Sequence, residues 1–117
     1  MTDQLEPARV TDAAALTAPF EPVPSDQVVA GAPTTRWLEL EDAGGRSIGV
    51  WEMTEGAMAD VEADEVFVVL AGDATVEFID PALPPIQLGP GAIVRLVEGM
   101  RTVWTVRETL RKVYIAP

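Results

Sequence analysis

Glu65-Val66-Phe67-Val68-Val69-Leu70-Ala71-Gly72-Asp73-Ala74-Thr75-Val76-Glu77-Phe78-Ile79 carries more information about the fold than any other part of the chain. Its first six residues form a β-branched, apolar run of strand length. Ala71-Gly72-Asp73 reads as a turn, and Ala74 to Ile79 returns with Val76 and Phe78 on one face of a second strand. Neither half has the i, i+3, i+4 spacing of an amphipathic helix. The longest apolar run, Val66 to Ala71, is far shorter than the ~20 residues of a membrane-spanning helix.

The same signal continues on both sides. Upstream, Arg36 to Glu41 and Ser47 to Met53 flank Asp42-Ala43-Gly44-Gly45 and read as a hairpin, after which Thr54-Glu55-Gly56 breaks the chain. Downstream, Asp80 to Pro85 holds three prolines and reads as loop. Short strands follow at Ile86–Leu88, Ala92–Leu96, Thr102–Val106 and Arg111–Ile115. Gly89-Pro90-Gly91, Glu98-Gly99 and Arg107–Leu110 connect them. About eight short strands with closely spaced turn signals predict an all-β sandwich or barrel rather than βαβ units. Trp37, Trp51, Trp104, Phe67, Phe78 and Tyr114 lie on separate strands, as one shared interior requires, with some rings lining a cavity mouth.

Residues 1–28 read differently. Pro7, Pro19, Pro22 and Pro24 favour an extended arm over a regular ladder strand. Thr11 or Asp12 can cap a short helical turn through Leu16. Phe20, Val23 and Val28-Val29 supply apolar anchors, enough for the arm to cover a sheet edge of its own domain or of a neighbour.

The chain has 117 residues, a size for one domain. It has no cysteine and no histidine, which excludes thiolate chemistry and removes the commonest general base and transition-metal ligand. The formal net charge of −11 disfavours nucleic acid and anionic membrane as partners. Five of the eight basic residues, Arg95, Arg101, Arg107, Arg111 and Lys112, lie in the last 23 positions. They either pair with acidic strands of the same fold or form a patch for an anion. The acidic start, without a basic region and apolar core, does not read as a signal peptide, so a cytoplasmic location is expected.

Several segments in register go beyond generic β structure: Gly49-Val50-Trp51-Glu52-Met53-Thr54-Glu55-Gly56, Asp64 to Gly72, Leu88-Gly89-Pro90-Gly91, and Trp104-Thr105-Val106-Arg107-Glu108 with Arg111-Lys112-Val113-Tyr114. In this order they resemble the small single-domain cupins related to the (S)-ureidoglycine aminohydrolase and ethanolamine-utilisation cupins. The resemblance implies a cupin-like jelly-roll β-barrel over residues 29–117 behind the N-terminal arm, usually dimeric, with any site inside the barrel. Ala92 stands where the family pattern has an aspartate.

The general cupin pattern has two histidines and a glutamate in its first motif and a histidine in its second. By spacing, these positions fall on Met58, Asp60, Glu65 and Thr102. A thioether and a hydroxyl are poor ligands for iron, manganese, nickel or zinc, so no metal or other cofactor is expected. The resemblance and the residue types together predict a small-molecule binding or accessory protein with a pocket of Trp51, Met53, Met58, Asp60, Glu65, Thr102 and Trp104. An alternative is a hydrolase or isomerase of a small metabolite with Glu65 and Asp60 as acid–base pair. Another is a structural dimerisation module with these positions packed solid. Glu65 can also sit solvated at the rim or paired with an arginine. Glu62 and Asp64 read as a solvated acidic run, and Glu52 as the partner of Arg111 or Lys112.

Overall fold

The computed structural model describes residues 5–117, and among them nine β-strands and no helix. The strands are β1 (Glu21–Pro22), β2 (Val28–Ala30), β3 (Thr34–Ala43), β4 (Arg46–Met53), β5 (Gly56–Val61), β6 (Glu65–Asp80), β7 (Leu83–Leu88), β8 (Ile93–Leu96) and β9 (Arg101–Ala116). All pairings are antiparallel.

The frame is made by β6 and β9, which pair along almost their whole lengths. On its other edge β9 pairs first with β5 and then with β4, while β6 pairs first with β8 and then with β7. The result is a curled jelly-roll sheet, in line with the all-β expectation.

Two expected turns are bends within strands. Ala71-Gly72-Asp73 does not end β6, and Arg107–Leu110 does not end β9; the ladder shifts register there and both strands continue. Bulges of this kind curl a sheet without cutting it. Gly72 has φ +107°, and a Cβ on it would lie 2.4 Å from the Thr109 carbonyl oxygen. The two long strands cross too closely at the bend for any side chain.

The proline-rich stretch after Asp80 is also shorter as a loop than its composition suggests. β7 already begins at Leu83 and contains Pro84 and Pro85. The strand lies at an edge, with β6 as its one partner, and its register slips between Val76 and Phe78 opposite the prolines. A missing N–H is tolerated at such a place.

The N-terminal segment joins the ladders more than its prolines suggest. β1 pairs with β3 and β2 with β5, so the segment covers two edges of its own sheet. The turn near Thr11 is capped by Asp12, whose Oδ1 accepts the Ala14 N–H at 3.0 Å and whose carbonyl accepts the Ala15 N–H at 3.1 Å. It does not continue into a helix. Val23 is buried, and Arg36 lies 4.1 Å over the Phe20 ring.

The core is one cluster, with Met53, Met58, Phe67, Val69, Val76, Leu88, Leu96, Trp104, Val106 and Leu110 at its centre. No helix of the structure is long and apolar enough to cross a membrane.

Candidate functional site

Alternation along the strands decides which side chains face the hollow of the roll. On β5 it turns Met58 and Asp60 inward, and Glu62 follows in the same phase just beyond the strand. Met58 lies opposite Trp104, and Asp60 opposite Thr102, across the β5–β9 ladder. Trp51 of β4 lies opposite both Trp37 of β3 and Lys112 of β9. Gly49 lies opposite Tyr114, and a Cβ at Gly49 would collide with the phenol, so the glycine clears the space in which Tyr114 lies.

Together these residues line an open cavity of about 290 Å³, with walls formed by Trp37, Trp51, Trp104, Tyr114, Asp60, Glu62, Glu65 and Lys112. The sequence reading placed Trp51, Asp60, Glu65 and Trp104 here, and the structure brings them together. Met53 and Met58 are instead packed into the apolar core. Thr102 is buried, with its hydroxyl turned to Glu62. It lines a neighbouring groove of about 200 Å³, shared with Asp60, Gln27 and Arg101. Four wall residues lie outside the expected pocket: Trp37, Glu62, Lys112 and Tyr114.

Lys112 is the centre of the arrangement. Its side chain is 6% exposed, and its Nζ donates to Glu65 Oε1 at 2.5 Å. The same ammonium lies 4.3 Å from the Phe67 ring centre and 4.8 Å from those of Trp51 and Trp104. A carboxylate and three ring faces thus take the place of the water that burial removes. Glu65 is accordingly neither a solvated rim residue nor the partner of an arginine.

Glu62 departs from the expected solvated acidic run. It is 8% exposed, and its Oε2 accepts the Thr102 hydroxyl at 2.6 Å and the Trp104 indole N–H at 2.9 Å. Asp64, by contrast, is exposed and accepts the Glu98 N–H at 2.8 Å. Burial, reinforced by the nearby Glu62, raises the pKa of Asp60 from 3.8 to about 6. Burial also pushes the Tyr114 phenol above its ordinary value, with Glu39 adding to the shift.

The Asp60 shift has a consequence for stability. Its folded pKa lies above its unfolded one, so the folded state is penalised as pH rises through the interval between 3.8 and about 6. At pH 8 Asp60→Asn is expected to stabilise the protein by about 1–2 kcal/mol, after discounting for solvent screening at this part-exposed site. The gain should vanish below pH 4. Urea unfolding of both proteins at the two pH values measures it; an Asp60→Asn variant no more stable at pH 8 would contradict the desolvated placement.

On the outer face of β4, Glu52 sits between Arg36 at 3.1 Å and Arg111 at 2.5 Å, as anticipated for Arg111. Arg107 pairs with Asp73 at 2.8 Å. The basic end of the chain therefore pairs with acidic strands of its own fold at Arg107, Arg111 and Lys112.

Comparison with known proteins gives this geometry a family. A model of the EutQ-like cupin domain matches residues 40–114. The chain belongs to the EutQ-like cupins. A comparison with curated proteins returns no match. Among solved structures, a protein of unknown function from Pseudomonas syringae superposes with a TM-score of 0.74 at 22% identity, over 89% of this chain and 45% of that one. The chain thus spans less than half the length of that relative. A cupin superfamily protein from Desulfitobacterium hafniense gives 0.66 at 11% identity, covering 98% and 94%. The EutQ protein of Clostridium difficile gives 0.62 at 16% identity, covering 71% and 67%. At these identities the likeness is one of fold.

The cupin fold implies a metal held by histidines and a carboxylate, and the residues of this EutQ-like cupin do not fit one. Of the four aligned positions, Met58 is in the core, Thr102 donates its hydroxyl to Glu62, and Glu65 already holds the Lys112 ammonium. Among the described residues no group of three His, Cys, Asp or Glu is arranged to hold a metal ion.

Proposed function

We propose that this EutQ-like cupin binds a small molecule in the cavity between β3, β4, β5 and β9, without a metal. The observation that carries the reading is the wall itself. Aromatic faces from Trp37, Trp51 and Tyr114 stand beside Asp60, Glu62 and Lys112 around a hollow of about 290 Å³. A concave, largely aromatic space with a few convergent polar groups is the usual form of a ligand site. A module packed solid for dimerisation would leave no such space.

Trp37 provides the test, because it is 58% exposed and contributes little to the core. Trp37→Ala is expected to weaken ligand binding about tenfold while changing stability by no more than about 0.5 kcal/mol. Thermal-shift titration of a metabolite panel against both proteins measures both effects. A panel spanning cations, anions and neutral compounds that leaves the wild-type melting temperature unmoved would overturn the reading.

A second reading is supported by the pKa of Asp60, about 6, which lets it carry or accept a proton near neutrality. With Glu65 beside Lys112 it forms an acid–base set for hydrolysis or isomerisation of a small nitrogenous metabolite, the chemistry suggested by the likeness to (S)-ureidoglycine aminohydrolases. Asp60→Asn would then abolish turnover in a protein that remains folded. Turnover that persists in the variant would remove this reading.

The family likeness and the edge strand β8, where Ile93 is 70% exposed, support a homodimer as the working state. Sedimentation at micromolar concentration would give a dimer mass; a monomer would count against it.

A further inference from the structure

We infer that the ligand is a small organic cation, an alkylammonium or guanidinium compound, whose charged end is held by Asp60 and Glu62 against the aromatic wall. The inference rests on the binding reading above and specifies its chemistry.

The cavity wall carries three carboxylates, Asp60, Glu62 and Glu65, and one cation, Lys112. Lys112 and Glu65 satisfy each other at 2.5 Å, which leaves Asp60 and Glu62 as the uncompensated pair. Glu62 is more than nine-tenths buried, yet only its Oε2 is used: both the Thr102 hydroxyl and the Trp104 N–H go to that oxygen. Its Oε1 takes no hydrogen bond from the described residues. Two donors on one oxygen hold the Glu62 carboxylate in a fixed orientation. Asp60 likewise uses Oδ1 to accept the Val61 N–H at 2.9 Å.

The rings beside these carboxylates suit a cation. Trp37, Trp51 and Tyr114 line the same wall, and an ammonium or guanidinium group gains from ring faces where a carboxylate does not. The barrel already holds one ammonium in this way: Lys112 lies between Glu65 and the rings of Phe67, Trp51 and Trp104. The second half of the cavity repeats those elements, carboxylate and indole, with no lysine or arginine of its own on the wall.

The charged groups around Asp60 determine the pH dependence. They are Glu62 in the same segment, Glu65 from β6, and Lys112 and Arg101 from β9. Glu62 and Glu65 favour the protonated form of Asp60 and Lys112 opposes it. A bound cation adds to the opposing side, so cation affinity should rise as pH increases through about 6.

All three tryptophans of the chain lie on this wall, so intrinsic fluorescence reports occupancy directly. Butylammonium, butylguanidinium, butyrate and 1-butanol are titrated up to millimolar concentrations at pH 8 and pH 5. The cations are expected to bind saturably, at least about tenfold tighter than butyrate or butanol, and to weaken at pH 5. Asp60→Asn and Glu62→Gln should each lower cation affinity about tenfold and leave butanol unaffected. Circular dichroism checks that each variant is folded, and Asp60→Asn suffices if Glu62→Gln is not. Equal or tighter binding of butyrate or butanol would overturn the cation inference while leaving a small-molecule site in place. No saturable response to any of the four would overturn the inference, and the wider metabolite panel then decides the binding reading separately.

Discussion

Lys112→Met is expected to cost about 3–5 kcal/mol of folding stability, the largest effect of any single substitution at the site. The methionine keeps most of the apolar stem but removes the ammonium, so the Glu65 carboxylate is left part-buried without its partner. The three rings around Lys112 also lose their cation contacts. Glu65→Gln should cost less, about 1–3 kcal/mol, because an amide oxygen still accepts from the ammonium and the ring faces remain. The double variant Lys112→Met/Glu65→Gln should be more stable than Lys112→Met alone, since no unpaired charge is left inside. Urea unfolding of the four proteins completes the cycle. Additive losses would show that the two groups do not depend on each other, against the pairing described here.

Arg111→Met is expected to have an effect of similar size, again about 3–5 kcal/mol, with a second readout of its own. Arg111 is 10% exposed and shares Glu52 with Arg36, so its removal leaves a buried carboxylate with one cation instead of two. The same guanidinium donates to the carbonyls of Ala13 at 2.8 Å and Leu16 at 2.9 Å, which ties the N-terminal segment to the outside of β4 and β9. Loss of these bonds should expose residues 5–20 to limited proteolysis under conditions where the sheet stays folded. Glu52→Gln keeps the donors to Ala13 and Leu16. It should therefore destabilise the protein without the same gain in cleavage. Equal cleavage of both variants would mean that the segment is held mainly by β1 and Phe20.

How far the sequence could be read depended on where a residue's local pattern is sufficient. The β6 run from Glu65 and the β3–β4 hairpin were legible because apolar patterning and the Gly44-Gly45 turn are local signals. The bends at Gly72 and at 107–110 were not, because a bulge and a turn use the same small and polar residues, and only pairing across β6 and β9 separates them. Pro84 and Pro85 suggested loop for a comparable reason: a proline's place at a sheet edge is a tertiary fact.

The site shows the same limit. Arg111 and Lys112 are adjacent, so in a strand one must face inward and the other outward, but their order in the sequence does not say which. The register of β9 against β4 decides it, placing Lys112 with Trp51 and Arg111 with Glu52. Glu62 could have been found, because Met58, Asp60 and Glu62 share a period of two. The acidic run Glu62-Ala63-Asp64-Glu65 concealed that phase by suggesting a solvated face.

Glu65, which stands at the glutamate position of the cupin pattern, holds the ammonium of Lys112 rather than a metal ion. Anomalous scattering at the iron, manganese, nickel and zinc edges, from crystals grown in the presence of each ion, tests it most directly. Lys112 Nζ is expected within hydrogen-bond distance of Glu65, with no anomalous peak beside that carboxylate. A fully occupied metal bound to Glu65, with Lys112 displaced from it, would rule out this pairing.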